Sequence, residues 1–334
     1  MGGPAVETAA VVKADAYGLG AGPVARALAA AGARSFFVAL AEEGAALREA
    51  LGPGPAIVVL DGLMAGDAAL CAAHDLTPCL DSPGQAEAFL AACPGRPCAL
   101  QIDTGMNRLG LEPAELAALA DRLPRLAPGL VMSHLACADA PDHPANAAQR
   151  RAFEAMAARV PGARRSLAAT GGALLGAAFH YDMIRPGIGL YGGLPFAQAR
   201  PAVALSLPVI QVREVAAGES VGYGAAWTAA RPSRIATVAA GYADGLPRAL
   251  AGGAVALWAG DRRCPLVGRV SMDLITADVT ELGAVPPTLE ILNARQTIDD
   301  LARAAGTIGY EILANLGARF ARVYTGGPEP GAPA

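Results

Sequence analysis

From about residue 9 to residue 192 the chain repeats one pattern: a short apolar run, a polar or glycine-containing junction, then an alanine-rich stretch of helical period. AAVVKADAY is followed by PVARALAAAG, SFFVAL by AEEGAALREAL, and AIVVLDG by AGDAALCAAH. CALQIDTG precedes AELAALADRL, GLVMSHLACAD precedes NAAQRRAFEAMAARV, and MIRPGIGLYGG closes the series. Strand-then-helix at this cadence predicts a parallel sheet with crossover helices. Six or more such units suit a closed α/β barrel better than an open sheet. In such barrels the chemistry sits at the C-terminal ends of the strands, where Lys13, Asp103, His134 and Arg185 fall.

After about Pro201 the texture changes. ALSLPVIQVREV, GESVGYGAAW, RIATVAAGYAD, AVALWAG and CPLVGRVSMDLITADVTEL are short runs separated by glycine or charged turns, the pattern of an antiparallel β domain. TIDDLARAAG starts with a Thr cap and an acidic first turn, so it predicts a helix. The expected organisation is a barrel domain over 1–203, a β domain over 204–326 and a disordered tail over 327–334, where GGPEPGAPA frays. No internal repeat is visible.

Composition narrows the function. A net charge of −4 with no basic cluster argues against nucleic acid and against an anionic membrane surface. The six cysteines form no CxxC pair, and a chain of 334 residues needs no disulfide staples, so they read as reduced, buried small residues. MGGPAVETAA has neither the basic start nor the apolar stretch of a signal peptide, and the longest uncharged runs are broken by Gly or Pro. These features predict a soluble, cytoplasmic protein. His74, His134, His143 and His180 show no H-x₃-H spacing and no pairing with Cys, so no metal site is expected.

Lys13 is the only lysine in the chain; every other basic side chain among the 26 Lys and Arg is arginine. A coding bias toward Arg explains the loss of lysines elsewhere but not the retention of this one. One reading takes Gly18, Gly20 and Gly22 as a phosphate-binding turn with Glu42 or Glu43 on a ribose, although the glycines start late and the third is one position short of GxGxxG. Another makes Lys13 a Schiff-base lysine: an amine at a strand end condenses with an aldehyde, which a guanidinium that never deprotonates cannot do.

VVKADAYGLG, DTGMNRLG, RPGIGLYGG, VGYGAAWTA, AAGYADGLPR, VGRVSMDLITADV and TIDDLARAAGTIGYEIL, in this order, resemble the bacterial alanine racemases. These are pyridoxal-phosphate enzymes of fold type III, with a (β/α)8 TIM-type barrel followed by a mainly antiparallel β domain. The resemblance runs from about residue 9 to 324. It implies that Lys13 holds pyridoxal 5'-phosphate and serves as one of two Cα bases. Tyr17, Thr170, Gly187 and Ile188 would contact the phosphate, with Thr170 standing where Ser is common. Arg185 would face the pyridine nitrogen, and Arg108 the cofactor's phenolic oxygen and the substrate carboxylate. Tyr242 would be the second base, His134 would stand between Tyr242 and Arg185, and Met272 would offer its backbone N–H to the carboxylate beside Asp273. The implied activity is interconversion of L- and D-alanine, feeding peptidoglycan or alanine catabolism, in a homodimer with shared active sites.

Two positions depart from the family. Many members have a carbamylated lysine seven residues before the arginine of DTGMNRLG; this chain has Gln101, an uncharged amide expected to accept a hydrogen bond from Arg108 and to hold it less firmly. Only twelve residues precede Lys13, fewer than is usual, so an uncovered edge of the β domain is expected. The alternatives left open are a racemase of serine or another small amino acid, a barrel that binds the cofactor without turnover, and a nicotinamide-dependent oxidoreductase.

Overall fold

The fold was analysed in a computed structural model that describes residue 3 and residues 5–326; the expected disordered tail at 327–334 lies outside the described residues. The chain divides into two compact units, residues 1–189 with 324–334, and residues 190–323.

The first unit is built on β1 (Glu7–Thr8), β2 (Ala10–Val11), β3 (Ser35–Val38), β4 (Ala56–Val59), β5 (Thr77–Leu80), β6 (Ala99–Gln101), β7 (Leu130–Met132), β8 (Arg164–Ser166) and β9 (Met183–Ile184). From β2 to β8 each strand pairs in parallel with the next. β1 and β2 are separated only by Ala9 and act as one strand, pairing with β3 on one side and with β9 on the other. The N–H groups of Ala9 and Val11 donate to Ile184 and Pro186. The Arg185 N–H donates to Ala168 (2.8 Å), which joins β9 to the end of β8. With β1 and β2 counted as one, eight strand positions therefore close into a parallel barrel. β3 to β5 are mostly apolar on both faces, and Phe36, Phe37, Ile57, Leu80 and Leu100 are fully buried. Crossover helices such as Ala21–Ala30, Ala41–Leu51 and Pro144–Ala157 cover the outside. The C-terminal segment returns to this unit, where the Tyr324 hydroxyl donates to the Leu19 carbonyl (2.8 Å).

The second unit holds β10 (Leu205–Val215), β11 (Ser220–Val221), β12 (Trp227–Thr228), β13 (Ser233–Ala239), β14 (Ala256–Ala259), β15 (Arg262–Val267), β16 (Leu274–Asp278) and β17 (Thr288–Leu292). Six of them close an antiparallel barrel in the order β10-β13-β16-β15-β14-β17, while β11 and β12 pair as a separate ribbon. The expected open edge is thus absent among the described residues. β10 is long enough to pair with β17 through its first half and β13 through its second, with an irregularity between Val209 and Gln211. What it leaves open is its outer face, where Ile210 and Val212 are exposed. The helix Ile298–Ala305 begins at a capping box in which Thr297 and Asp300 exchange hydrogen bonds. Residues 190–203, assigned to the barrel from sequence, lie with this unit, where the Leu194 N–H donates to Asp299 (3.0 Å). No helix among the described residues is long and apolar enough to cross a membrane.

Arg48 ties the N-terminal side of the parallel barrel together. From the helix Ala41–Leu51 its guanidinium donates to the carbonyls of His74, Gly52, Pro55 and Asp75, all at 2.9–3.0 Å. Arg48→Met keeps the apolar stem and removes every one of these bonds. It is expected to lower stability by about 3 kcal/mol, since charge-assisted hydrogen bonds are the stronger kind. Denaturant melts would show this, and a loss below about 1 kcal/mol would contradict it.

Candidate active site

Lys13 stands one residue beyond the end of β2, after Val12, and is exposed. The four residues after it, Ala14, Asp15, Ala16 and Tyr17, all have positive φ (52–56°), so the chain makes a turn of left-handed helix. Each non-glycine residue in that conformation costs roughly 1–2 kcal/mol, so neighbours must hold it. Glu43 accepts from the N–H of Ala14 (2.7 Å) with one carboxylate oxygen and from Ala39 and Leu40 with the other. Asp15 accepts from the N–H of Ala21 (2.6 Å), and its carbonyl takes the Gly20 N–H. These bonds give Glu43 a structural role and leave no basis for a ribose contact. The turn also folds Tyr17 back into the barrel mouth, where it is buried.

Tyr17 lies over Gly187 so closely that a Cβ at position 187 would collide with its hydroxyl and push the ring aside. Beside it, the buried Thr170 hydroxyl oxygen accepts from the N–H groups of Gly187 (3.1 Å) and Gly189 (3.3 Å), with Ile188 buried between them. The four residues predicted from sequence therefore form one cradle of hydroxyl and backbone N–H groups.

Arg185 is buried at the closing strand, and its partners are neutral. Its guanidinium donates to the Ser166 hydroxyl and the Ser133 carbonyl (2.6 Å), and stands over the Phe37 ring at 5.9 Å. Burial lowers its pKa to about 10, so it stays cationic at neutral pH. His134 is pulled down to about 3, first by burial and then by the charges of Arg185, Arg108 and Lys13, and so is neutral. The site thus gathers three cations around one neutral imidazole. Asp103 plays no such part: its carboxylate accepts from the N–H groups of Gly105 and Met106 and shapes the loop that exposes Arg108.

The expected hydrogen bond from Arg108 to Gln101 is not found among the described residues. Gln101 is buried and its Cγ packs beneath Gly110, whose φ of +123° leaves no room for a side chain over the backbone of Ile102 and Asp103. The loop from 103 to 110 is instead closed by backbone pairing at its ends, where the Asp103 N–H donates to the Leu111 carbonyl (3.0 Å) and the Leu111 N–H to the Gln101 carbonyl (2.9 Å).

Tyr242, Met272 and Asp273 lie in the second unit and form a group of their own. The Tyr242 N–H donates to Ser271 (3.0 Å) and the Ala243 N–H to Met272 (2.9 Å). Gly241 permits this crossing, because a Cβ there would strike the carbonyls of Ser271 and Met272. Asp244 caps the turn by accepting from the Gly241 N–H, and Arg319 bridges Asp244 (2.6 Å) to Asp273 (2.8 Å). The side chains of Tyr242 and Met272 remain exposed.

A closed parallel barrel with an amine, an arginine and a histidine at the C-terminal ends of its strands, followed by an antiparallel β-barrel, defines an enzyme built on a TIM-type scaffold. The family model for alanine racemase, N-terminal domain, matches residues 1–195, and that for alanine racemase, C-terminal domain, matches residues 202–324. An alanine racemase of Cereibacter sphaeroides is 62% identical over 318 residues, covering 95% of this chain and 90% of the relative. One from Jannaschia sp. is 60% identical over 318 residues, covering 95% and 92%. Among solved structures, the biosynthetic alanine racemase of Pseudomonas aeruginosa superposes with a TM-score of 0.89 at 41% identity, covering 97% of this chain and 93% of that one. The alanine racemase of Bartonella henselae, described with covalently bound pyridoxal phosphate, gives 0.89 at 36% identity, covering 96% and 93%. The chain belongs to the alanine racemase family.

Sequence reasoning gave Glu43 a different role and missed Ser133 and Ser166, which carry no motif of their own. The His134 environment has a measurable consequence. The imidazole takes up a proton near pH 6.5 when unfolded but only near pH 3 when folded, so the unfolded chain binds more protons between these values. Stability should therefore fall as pH drops through this window, by at most about 1.4 kcal/mol per pH unit from this residue. His134→Asn should flatten that slope in melts at pH 7 and pH 5; an unchanged slope would contradict the half-buried, neutral assignment.

Proposed function

We propose that this chain interconverts L- and D-alanine with pyridoxal phosphate held on Lys13, moving the Cα proton between Lys13 and Tyr242. The observation that carries the reading is Lys13 itself, the only lysine of the chain, exposed at the end of the first barrel strand beside the Tyr17–Thr170–Gly187 cradle. Membership of the family supports alanine as substrate, and the B. henselae relative supports the cofactor.

The residues present fit that cofactor. A primary amine can bond to an aldehyde carbon, and the Tyr17 and Thr170 hydroxyls gathered over the Gly187–Gly189 backbone are donors that suit a phosphate. Pyridoxal phosphate, when bound, supplies an electron sink for the charge left on Cα. Arg185 would meet the pyridine nitrogen with a hydrogen bond but would not surrender its proton, which limits how far that charge spreads and favours return of the proton to Cα. Arg108 would pair with the substrate carboxylate, assisted by the Met272 N–H and with Asp273 alongside. Lys13 would remove or return the proton on one face of Cα and Tyr242 on the other, as inversion of configuration requires. His134, kept neutral, can bridge a tyrosine hydroxyl and Arg185 without adding charge.

The assembly we infer is a homodimer in which each site takes Lys13 from one subunit and Tyr242 from the other. The exposure of Tyr242 and Met272 supports this, since a second copy covering them would exclude water and strengthen the charge interactions there. A cytoplasmic location and supply of D-alanine to peptidoglycan complete the reading.

Purified protein given pyridoxal phosphate and L-alanine should form D-alanine, followed by chiral chromatography. Lys13→Arg should abolish the reaction while keeping the charge. Lys13→Ala and Tyr242→Phe should each be nearly inactive, and should regain activity when mixed and allowed to exchange subunits. No D-alanine from the wild type would overturn the activity. No recovery in demonstrated heterodimers would overturn the shared site.

A further inference from the structure

The helix Pro144–Ala157 turns one face inward through Asn146, Gln149, Phe153, Met156 and Ala157. A glutamine on this otherwise mostly apolar stripe is costly unless its amide is satisfied. Gln149, 2% exposed, donates through Nε2 to the His134 carbonyl (2.9 Å) and to the Thr104 hydroxyl (3.3 Å), and accepts through Oε1 from the Ala136 N–H (2.8 Å). Thr104 opens the loop that exposes Arg108, and His134 and Ala136 lie in the segment after β7. These two stretches are distant in sequence, and the amide is fastened to both.

The run of bonds continues inward. The Thr104 hydroxyl shares a hydrogen bond with the Ser133 hydroxyl (2.8 Å), and the Ser133 carbonyl accepts from Arg185 (2.6 Å). Arg185 also donates to the Ser166 hydroxyl, which in turn donates to the Met183 carbonyl (2.7 Å). Thr104, Ser133 and Ser166 are all buried. Apart from Arg185, every group in the run is neutral. Asn146, one helical turn before Gln149, takes over the rest of the same segment by donating to the carbonyls of Cys137, Ala140 and Pro141.

We propose that Gln149 is a positioning residue of the active site, locking the Arg108 loop and the His134 segment into one fixed relation through hydrogen bonds between neutral groups. Its neutrality matters as much as its reach. Lys13, Arg108 and Arg185 are the charged groups that face His134, and all are cations. A carboxylate beside the His134 backbone would offset them and draw a proton back toward the imidazole. An amide supplies both donors and the acceptor and adds no charge.

The kinetic part of the test rests on the racemase reading; the exchange part does not. Backbone hydrogen exchange on the purified full-length protein should show both 104–111 and 133–137 exchanging roughly tenfold or more faster in Gln149→Ala, with the helix Pro144–Ala157 still protected. Acceleration of one stretch alone, or of neither, overturns the coupling. In the loaded enzyme Gln149→Ala should lower kcat/KM by about 10²-fold, with KM for alanine raised through Arg108 and kcat lowered through His134. Gln149→Glu covers the case in which the alanine variant does not fold. An undissociated carboxyl can donate to the His134 carbonyl and accept from Ala136, whereas a dissociated one cannot donate. Activity relative to wild type should then fall about tenfold per pH unit above the pKa of the introduced carboxyl. A ratio independent of pH, or a loss of stability with kcat, KM and loop exchange unchanged, reduces Gln149 to packing and overturns the proposal. If the wild type does not racemise alanine, the racemase reading falls and the exchange result alone decides the coupling.

Discussion

The parallel barrel closes on a buried cation. Arg185 follows β9, the strand that completes the ring, and its backbone N–H makes the bond that joins β9 to β8. Its side chain therefore sits at the seam, where among the described residues its partners are a hydroxyl, a carbonyl and an aromatic face, and no carboxylate compensates it. A charge held this way is costly, and truncating Ser166 would leave one of its buried donors unpaired. Ser133, Ser166, Thr104 and Gln149 become intelligible as the structure that keeps it satisfied. Burial, and after it this same charge, lowers the pKa of His134 and keeps it neutral.

Strain is a second constraint, placed beside the first. Four consecutive left-handed residues after Lys13 would unwind in an isolated peptide. Glu43 opposes that by accepting the Ala14 N–H, and Asp15 ties the turn to the first N–H of the helix Ala21–Ala30. What the strain achieves is geometric: Lys13 stays exposed while Tyr17, four residues on, is turned back over Gly187. A right-handed turn of the same length would point the two side chains differently, because the path of the backbone would be of the opposite hand.

Much of this was legible in the sequence, because it depends on local pattern. The alternation of apolar runs with alanine-rich stretches dictates the parallel barrel, and the lone lysine stands at the kind of strand end where such barrels carry their chemistry. The capping box at Thr297 was readable for the same reason. What escaped depends on contacts between distant segments. The left-handed turn is stabilised by Glu43, a residue with no motif. The packing of Gln101 under Gly110 follows from a positive φ that composition does not reveal. The closure of the antiparallel barrel depends on β10 bending to serve two neighbours. Gln149 did leave a trace, as a polar residue on the buried stripe of its helix, but only the fold shows what that stripe faces.

The account as a whole turns on one amine. Chemical reduction of the purified protein with borohydride, in the presence of pyridoxal phosphate, converts a lysine–aldehyde bond into a stable secondary amine, and peptide mapping then locates it. The structure and the uniqueness of Lys13 predict one pyridoxyl group per chain, on the peptide that contains Lys13. Label confined to the N-terminal amine, or no label at all, would contradict the account.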